Sequence, residues 1–187
     1  MVTPSNPTGT VLPADQVESL YELARQNNVA LILDETYNAF LPPQQLPHHL
    51  FSKDAWGETF IHIGSFGKTF ALTGYRAGAL VASRKLIHHA LKVQDSMVVC
   101  QPRITQHAIA YGCRELSDWV DQNSVWVKHP WPTLTGRQAA RKLADEANLI
   151  CLPGEVFGPG LEGYLRLAFG NVSQHEIPQA VERFLVY

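Results

Sequence analysis

A lysine within a run of small residues is the first feature of this sequence that could carry chemistry. Lys68 follows a loop that contains Gly64 and Gly67, and glycine lets backbone approach a ligand closely. Ser65 offers a hydroxyl before the lysine, and Arg76 offers a guanidinium after it. A hydroxyl, backbone N–H groups and a planar guanidinium are donors that suit a phosphate dianion. A single lysine after a glycine is most often a solvated surface residue, so the hypothesis of a site depends on these neighbours.

A carboxylate at the end of an apolar run is the second candidate. Asp34 directly follows residues 29–33, a short apolar run that comes after an amphipathic helical pattern. Such a run is typical of a buried strand in a parallel sheet. Open α/β sheets bind ligands at the carboxyl ends of their strands. Taken alone, Asp34 is better interpreted as a helix cap or as one partner in a structural salt bridge.

The elements that must position these residues alternate between helix and strand. The first predicted helix begins at Pro13-Ala14 and ends at Asn27-Asn28. Strands are predicted at residues 29–33, 60–63, 78–82, 125–127, 149–152 and 164–169, and helices at residues 84–95 and 103–121. Capping boxes that begin at Thr135 and Ser173 predict two more helices. Alternation of this kind favours an α/β fold.

Together, three motifs resemble the class I and II aminotransferases of fold type I, which depend on pyridoxal 5'-phosphate. The motifs are Asn6-Pro7-Thr8-Gly9, Asp34-x-x-Tyr37, and Ser65-Phe66-Gly67-Lys68 followed by Gly74-x-Arg76. The resemblance covers almost the whole chain, and it implies a partial fold. The expected parts are a remnant of the mostly parallel-sheet large domain and a smaller α+β C-terminal domain.

The resemblance implies a role for each matching residue. Lys68 would form a Schiff base with the cofactor aldehyde and later move the proton at the substrate Cα, and both tasks need a neutral amine at some step. Asp34 would pair with the pyridine nitrogen. Arg166 falls where the family has the arginine that binds the substrate carboxylate, although a surface position on a strand is its alternative. The other expected cofactor contacts are Asn6 and Tyr37 at the phenolic oxygen, and Ser65 and Arg76 at the phosphate.

The activity implied by the resemblance is transfer of an amino group from an amino acid to a 2-oxo acid. The family forms homodimers, so a second copy is the expected protein partner. Two alternatives stay open. One is a truncated remnant that binds the cofactor weakly or only associates with other chains. The other is a lyase or decarboxylase on the same fold, which would share the lysine and the aspartate.

The sequence also departs from the family's pattern. Family members carry a phosphate-gripping loop and a ring-stacking aromatic residue ahead of the Asn6-Pro7-Thr8-Gly9 turn, and neither is present here. Few residues separate 118–120 from 126–128, which predicts an internal deletion near residues 123–125. We therefore expect a partial cofactor-binding domain at residues 1–96 and a C-terminal domain at residues 97–187. A chain of this kind should expose an apolar sheet face.

Composition excludes several classes of protein. The chain has 187 residues, of which 45% are hydrophobic, and this apolar fraction excludes a disordered chain. Fifteen Lys and Arg residues against 17 Asp and Glu residues give a net charge of −2, so no nucleic-acid or membrane partner is expected. The longest apolar run is far too short for a membrane span, and residues 1–4 show no signal pattern.

The cysteines and histidines do not form a recognisable site in the sequence. Cys100, Cys113 and Cys151 are odd in number and widely spaced. This pattern argues against a disulfide framework or a zinc site, and it predicts a reducing cytoplasm and no metal. The adjacent pairs His48-His49 and His88-His89 cannot face one point on a helix or strand, so solvated side chains are predicted for them.

Overall fold

The computed structural model describes residues 1–41, 45–122, 134–157, 163–167 and 176–185. It divides into two compact units, Met1–Ser124 and Val125–Tyr187. The sequence placed a domain boundary near residue 96, and that assignment stays a prediction. The internal deletion predicted near residues 123–125 lies outside the described residues.

The first unit contains a three-stranded sheet and five α-helices among its described residues. Its strands are β1 (Leu31–Asp34), β2 (Phe60–Ser65) and β3 (Gly78–Val81). Its helices are α1 (Ala14–Gln26), α2 (Phe66–Thr69), α3 (Arg84–Val98), α4 (Arg103–Glu115) and α5 (Ser117–Gln122). Short 3-10 helices span Asn38–Phe40, Leu50–Ser52, Trp56–Glu58 and Thr73–Tyr75.

The sheet has the order β1-β2-β3, with one parallel and one antiparallel pair. Asp34 lies opposite Ile63 in the parallel pair, and Ser65 lies opposite Gly78 in the antiparallel pair. The three strands were predicted, but the direction of β3 was not. A parallel crossover usually runs through a full α-helix that packs across the sheet. The four-residue helix α2 and the short 3-10 helix after it instead turn the chain back beside β2.

The core of this unit lies between α1 and one face of the sheet. Val17 and Tyr21 of α1 are buried, and they belong to one apolar cluster with residues of β1 and β2. The buried members of the cluster are Val17, Tyr21, Leu31, Leu33, Leu50 and Phe60. Residues 31 and 33 alternate with 32 and 34 along the strand, so Asp34 belongs to the opposite face.

That opposite face is apolar and exposed in the described part of the chain. Ile32 is 45% exposed, Ile63 is 36% exposed and Leu80 is 44% exposed. The register places these residues on the same face as Asp34, because Ile63 pairs with both Asp34 and Leu80. The sheet therefore presents an apolar surface beside the carboxyl end of β1.

The helix predicted at residues 103–121 is two helices in the structure. The first of them, α4, ends where Leu116 leaves helical geometry with a φ of −109° and a ψ of 13°. The polar pair Ser117-Asp118 then begins α5. Short polar side chains favour helix starts because they bond to nearby backbone. The prediction of one helix followed the apolar spacing alone and therefore missed this break.

The second unit is described by four elements. They are α6 (Gly136–Ala147), β4 (Leu152–Pro153), β5 (Leu165–Arg166) and α7 (Glu176–Leu185), with a 3-10 helix at Gly154–Phe157. The antiparallel pair of β4 and β5 is shorter than the strands predicted at 149–152 and 164–169. The strand predicted at 125–127 and the capping box predicted at Ser173 lie outside the described residues.

The capping box predicted at Thr135 is confirmed and gives a stability prediction. The Thr135 hydroxyl accepts the Gln138 N–H at 3.3 Å, and the Gln138 side chain accepts the Thr135 N–H at 3.2 Å. Replacing Thr135 with alanine should lower the free energy of unfolding of this unit by about 1 kcal/mol. Urea unfolding followed by circular dichroism measures the change. Thr135→Ser keeps the hydroxyl and serves as the control, and an equal loss in both variants would contradict the capping role.

Candidate functional site

Four of the predicted site residues lie at one edge of the sheet. The parallel strands β1 and β2 end side by side, Asp34 at the end of the first and Ser65 at the end of the second. Lys68 follows in α2. Because β3 is antiparallel to β2, it begins at the same edge, where Gly78 pairs with Ser65. Arg76 lies two residues before this start, so the topology brings the chain segments that carry the acid, the amine and the guanidinium to one region.

Asp34 is half-buried and held in place by backbone and side-chain hydrogen bonds. Its Oδ1 accepts the Thr36 N–H at 3.1 Å, which closes the turn after β1. Its own backbone N–H donates to the Met1 carbonyl, and its carbonyl accepts the Thr3 N–H. The first residues of the chain therefore run alongside β1.

This path carries Asn6 to Tyr37. The Asn6 side-chain Nδ2 donates to the Tyr37 hydroxyl oxygen at 3.1 Å. The two residues come from different sequence motifs, and the structure joins them just beyond the carboxyl end of β1. Since the tyrosine oxygen accepts this bond, its own proton is available for another acceptor.

Lys68 is exposed, and its position depends on a close contact at the neighbouring glycine. A Cβ atom on Gly67 would lie 3.3 Å from the Thr73 Cα and 3.4 Å from the Ser65 Oγ. The absence of a side chain thus lets α2 pack against the 3-10 helix at Thr73–Tyr75. The Thr69 hydroxyl also donates to the Ser65 carbonyl at 3.5 Å, which ties α2 to the end of β2.

Arg76 adopts an unusual backbone conformation at the end of this 3-10 helix. Its φ of 51° and ψ of 48° lie in the left-handed region, which is uncommon for residues other than glycine. The exposed guanidinium donates from Nη1 to the Thr73 carbonyl at 3.1 Å. Gly78 follows where a Cβ atom would lie 2.6 Å from the Gly64 carbonyl oxygen, so β3 can pair with β2 there only through a glycine.

Arg166 belongs to the second unit. It lies on β5, opposite Leu152 of β4, and it is half-buried. Its predicted role toward a substrate carboxylate stays a prediction.

A buried carboxylate below the sheet edge was missed by the sequence analysis. Glu35 is 3% exposed, and its carboxylate accepts bonds from three side chains. The donors are His62 Nδ1 at 2.7 Å, Asn38 Nδ2 at 2.9 Å and His48 Nε2 at 3.1 Å. The prediction that His48 is solvated was wrong, because it is buried while its neighbour His49 is exposed. Adjacent residues point in different directions, so one member of a histidine pair can be buried.

The environment of Glu35 shifts its titration. Burial disfavours the charged carboxylate and would raise its pKa, but the hydrogen bonds from His48, His62 and Asn38 outweigh this effect. The result is a pKa lowered from 4.5 to about 2. Glu35 is therefore ionised throughout the physiological range.

Acid should consequently destabilise this protein through Glu35. A lowered pKa contributes stability that is fully present above the unfolded value of 4.5 and is lost as the pH falls toward 2. The difference corresponds to about 3 kcal/mol in the free energy of unfolding. Urea unfolding between pH 6 and pH 3, in about four steps, should show a shallower decline in Glu35→Gln than in wild type. The exposed residue Glu58 provides the control variant Glu58→Gln, and equal slopes in all three proteins would refute the contribution of Glu35.

The described part of the chain has neither a candidate metal site nor a candidate membrane span. No cluster of three or more His, Cys, Asp or Glu side chains there could hold a metal ion. No described helix combines the length and the apolar character that a membrane crossing requires.

The sequence and the fold are both similar to those of known aminotransferases. Residues 1–124 match the profile of a family described as aminotransferase class I and II. Aromatic-amino-acid aminotransferase 2 of Thermococcus litoralis and an aspartate aminotransferase of Pyrococcus abyssi are each 26% identical to this chain over 212 residues. Both alignments cover 97% of this chain and 54% of the relative. The chain thus spans about half the length of the curated relatives it matches.

Solved structures have a similar fold over part of their length. A Methanococcus jannaschii structure, described as similar in its active site to kynurenine aminotransferases, superposes with a TM-score of 0.80 at 25% identity. The superposition covers 100% of this chain and 56% of that one. An Escherichia coli protein with a methionine aminotransferase function gives a TM-score of 0.82 at 21% identity, covering 100% and 57% of the two chains.

Proposed function

Because this chain belongs to the class I and II aminotransferases and has part of their α/β fold, we propose that it transfers an amino group from an amino acid to a 2-oxo acid. The cofactor is pyridoxal 5'-phosphate, attached at Lys68. The observation that supports the proposal is the strand register, which brings the chain segments that carry Asp34, Lys68 and Arg76 to one sheet edge. Their order along β1, β2 and the start of β3 follows from the strand directions.

The donor set at this edge fits the cofactor. The Asp34 carboxylate suits a protonated pyridine nitrogen, and the Ser65 hydroxyl with the Arg76 guanidinium suits a phosphate. The Tyr37 hydroxyl accepts from Asn6 and can donate its own proton, which suits a phenolic oxygen. The ring nitrogen, the phenolic oxygen and the phosphate of the cofactor thus each have a complementary partner among these residues.

When bound, the cofactor supplies an aldehyde that takes up the amino group and a ring that accepts the electron pair released at the substrate Cα. Lys68 would hold the aldehyde through its Nζ. Once an amino acid has freed that amine, the amine would take the proton from the substrate Cα and later return it. Asp34 would bind the ring nitrogen and favour its protonated form. Ser65 and Arg76 would hold the phosphate.

The proposal also covers the substrate contact, the assembly and the cellular compartment. A planar guanidinium matches a carboxylate with two parallel bonds, so Arg166 is assigned the substrate α-carboxylate. A homodimer is the proposed assembly. A reducing cytoplasm is the proposed compartment, since Cys100, Cys113 and Cys151 are all unpaired.

Trapping of the covalent attachment tests the proposal. The chain is mixed with pyridoxal 5'-phosphate and reduced with sodium borohydride, and its peptides are mapped by mass spectrometry. The expected result is a single modified lysine, Lys68. A second assay supplies an aromatic or an acidic amino acid with a 2-oxo acid and measures the new amino acid that is formed.

The two assays separate the proposal from its alternatives. No modification of Lys68 at excess cofactor would overturn the proposal. Modification without amino-group transfer would favour a cofactor-binding remnant. Release of ammonia or carbon dioxide, in place of a 2-oxo acid derived from the donor, would favour a lyase or a decarboxylase.

A further inference from the structure

One carboxylate ties together the segments on both sides of the candidate site. Glu35 directly follows Asp34, and its backbone N–H donates to the Ile63 carbonyl of β2 at 2.8 Å. Its side chain accepts from Asn38, the residue directly after Tyr37, and from His62, which lies on the strand that leads to Lys68. Glu35 thus joins the segment after Tyr37 to the strand that ends at Ser65.

The hydrogen bonds give each group of this cluster a partner. The Leu50 N–H donates to His48 Nδ1 at 3.1 Å. The other ring nitrogen of His48, Nε2, donates to Glu35. His62 donates to Glu35 from Nδ1. The carboxylate accepts every bond, and an amide in its place would offer one oxygen to three N–H donors.

The cluster lies on the other side of the sheet from the site. Asp34 pairs with Ile63 on the exposed face of the sheet, whereas His62, which binds Glu35, pairs with Leu33 on the core face. Glu35 and His48 are buried, and the side chain of His62 is 20% exposed. Glu35 can therefore influence the cofactor only through the backbone that it fixes.

We propose that Glu35 is a positioning residue for the cofactor site. Through His62 and Asn38, Glu35 holds Asp34, Tyr37 and the end of β2 at fixed spacing. This inference rests on the proposed function. Misplacement of a site group by about 1 Å can lower a reaction rate by two orders of magnitude, which shows how strictly such groups must be held. Loss of the hydrogen bonds to Glu35 should likewise weaken cofactor binding by more than the loss of stability alone explains.

Three variants test the positioning role of Glu35. Glu35→Gln removes the charge and one acceptor. His62→Leu removes the Nδ1 donor, whereas His62→Asn keeps an N–H donor at nearly the same place. Leu31→Ala is the control for general destabilisation, because it opens a cavity on the same strand and removes none of the hydrogen bonds to Glu35. The readouts are the dissociation constant for pyridoxal 5'-phosphate, from absorbance titration, and the urea midpoint of the cofactor-free chain.

We expect Glu35→Gln and His62→Leu to weaken cofactor binding by about tenfold or more, and His62→Asn and Leu31→Ala by less than about threefold. If Glu35→Gln does not fold, the two His62 variants decide. Binding by His62→Asn as weak as that of His62→Leu would overturn the inference. Binding by Glu35→Gln no weaker than that of Leu31→Ala would do the same, and in both cases attachment in wild type would leave the proposed function standing. A wild-type chain that never attaches the cofactor would overturn both.

Discussion

Replacing Lys68 with alanine should abolish covalent attachment of pyridoxal 5'-phosphate. The ε-amine is the nucleophile that condenses with the aldehyde, and alanine offers none. Lys68→Arg should give the same result, because a guanidinium keeps the positive charge but stays protonated and cannot condense. Borohydride reduction followed by peptide mapping should detect the modified Lys68 peptide in wild type and no modified peptide at this position in either variant.

Folding should not obscure this result. Lys68 is exposed, so its removal leaves no buried cavity and no buried unpaired charge. Lys92 is an exposed lysine of α3, and Lys92→Ala is the matched control that should retain full attachment at Lys68. Attachment that persists in Lys68→Ala at wild-type level would show that another amine carries the cofactor, and the assignment of the site would then be wrong.

Strands and helices with a strong local signal were predictable. Residues 29–33 and 60–63 are short apolar runs, and the structure has β1 and β2 there, shifted or extended by a few residues. The helix predicted from Pro13-Ala14 is α1. The antiparallel direction of β3 was not predicted, because strand direction depends on the length of the connection and on pairing between distant residues.

In the candidate site too, residues with a local sequence signal were predictable, and residues that depend on distant partners were not. Asp34, Lys68 and Arg76 stood out because each belongs to a motif of neighbouring residues. Glu35 did not, because its partners His48 and His62 lie 13 and 27 residues further along the chain. A buried carboxylate is stable only when distant donors converge on it, and no local pattern records that convergence.

Replacing Asp34 with asparagine should leave cofactor attachment intact and slow amino-group transfer by about a thousandfold. A charge pair near contact is worth about 4 kcal/mol at an effective dielectric of about 20, and this corresponds to roughly three orders of magnitude in rate. The variant is nearly isosteric. Its amide oxygen can still accept the Thr36 N–H that closes the turn, so the local backbone should hold. The rate of formation of the new amino acid is the measurement.

The pattern across the two assays is more informative than the rate alone. Asp34→Asn should separate attachment, which needs the Lys68 amine, from transfer, which also needs a protonated ring nitrogen. Asp95→Asn removes the same charge from an exposed position on α3 and should change neither assay. Transfer by Asp34→Asn within about threefold of wild type would mean that Asp34 serves only to close its turn. The carboxylate that supports the ring would then have to be sought elsewhere.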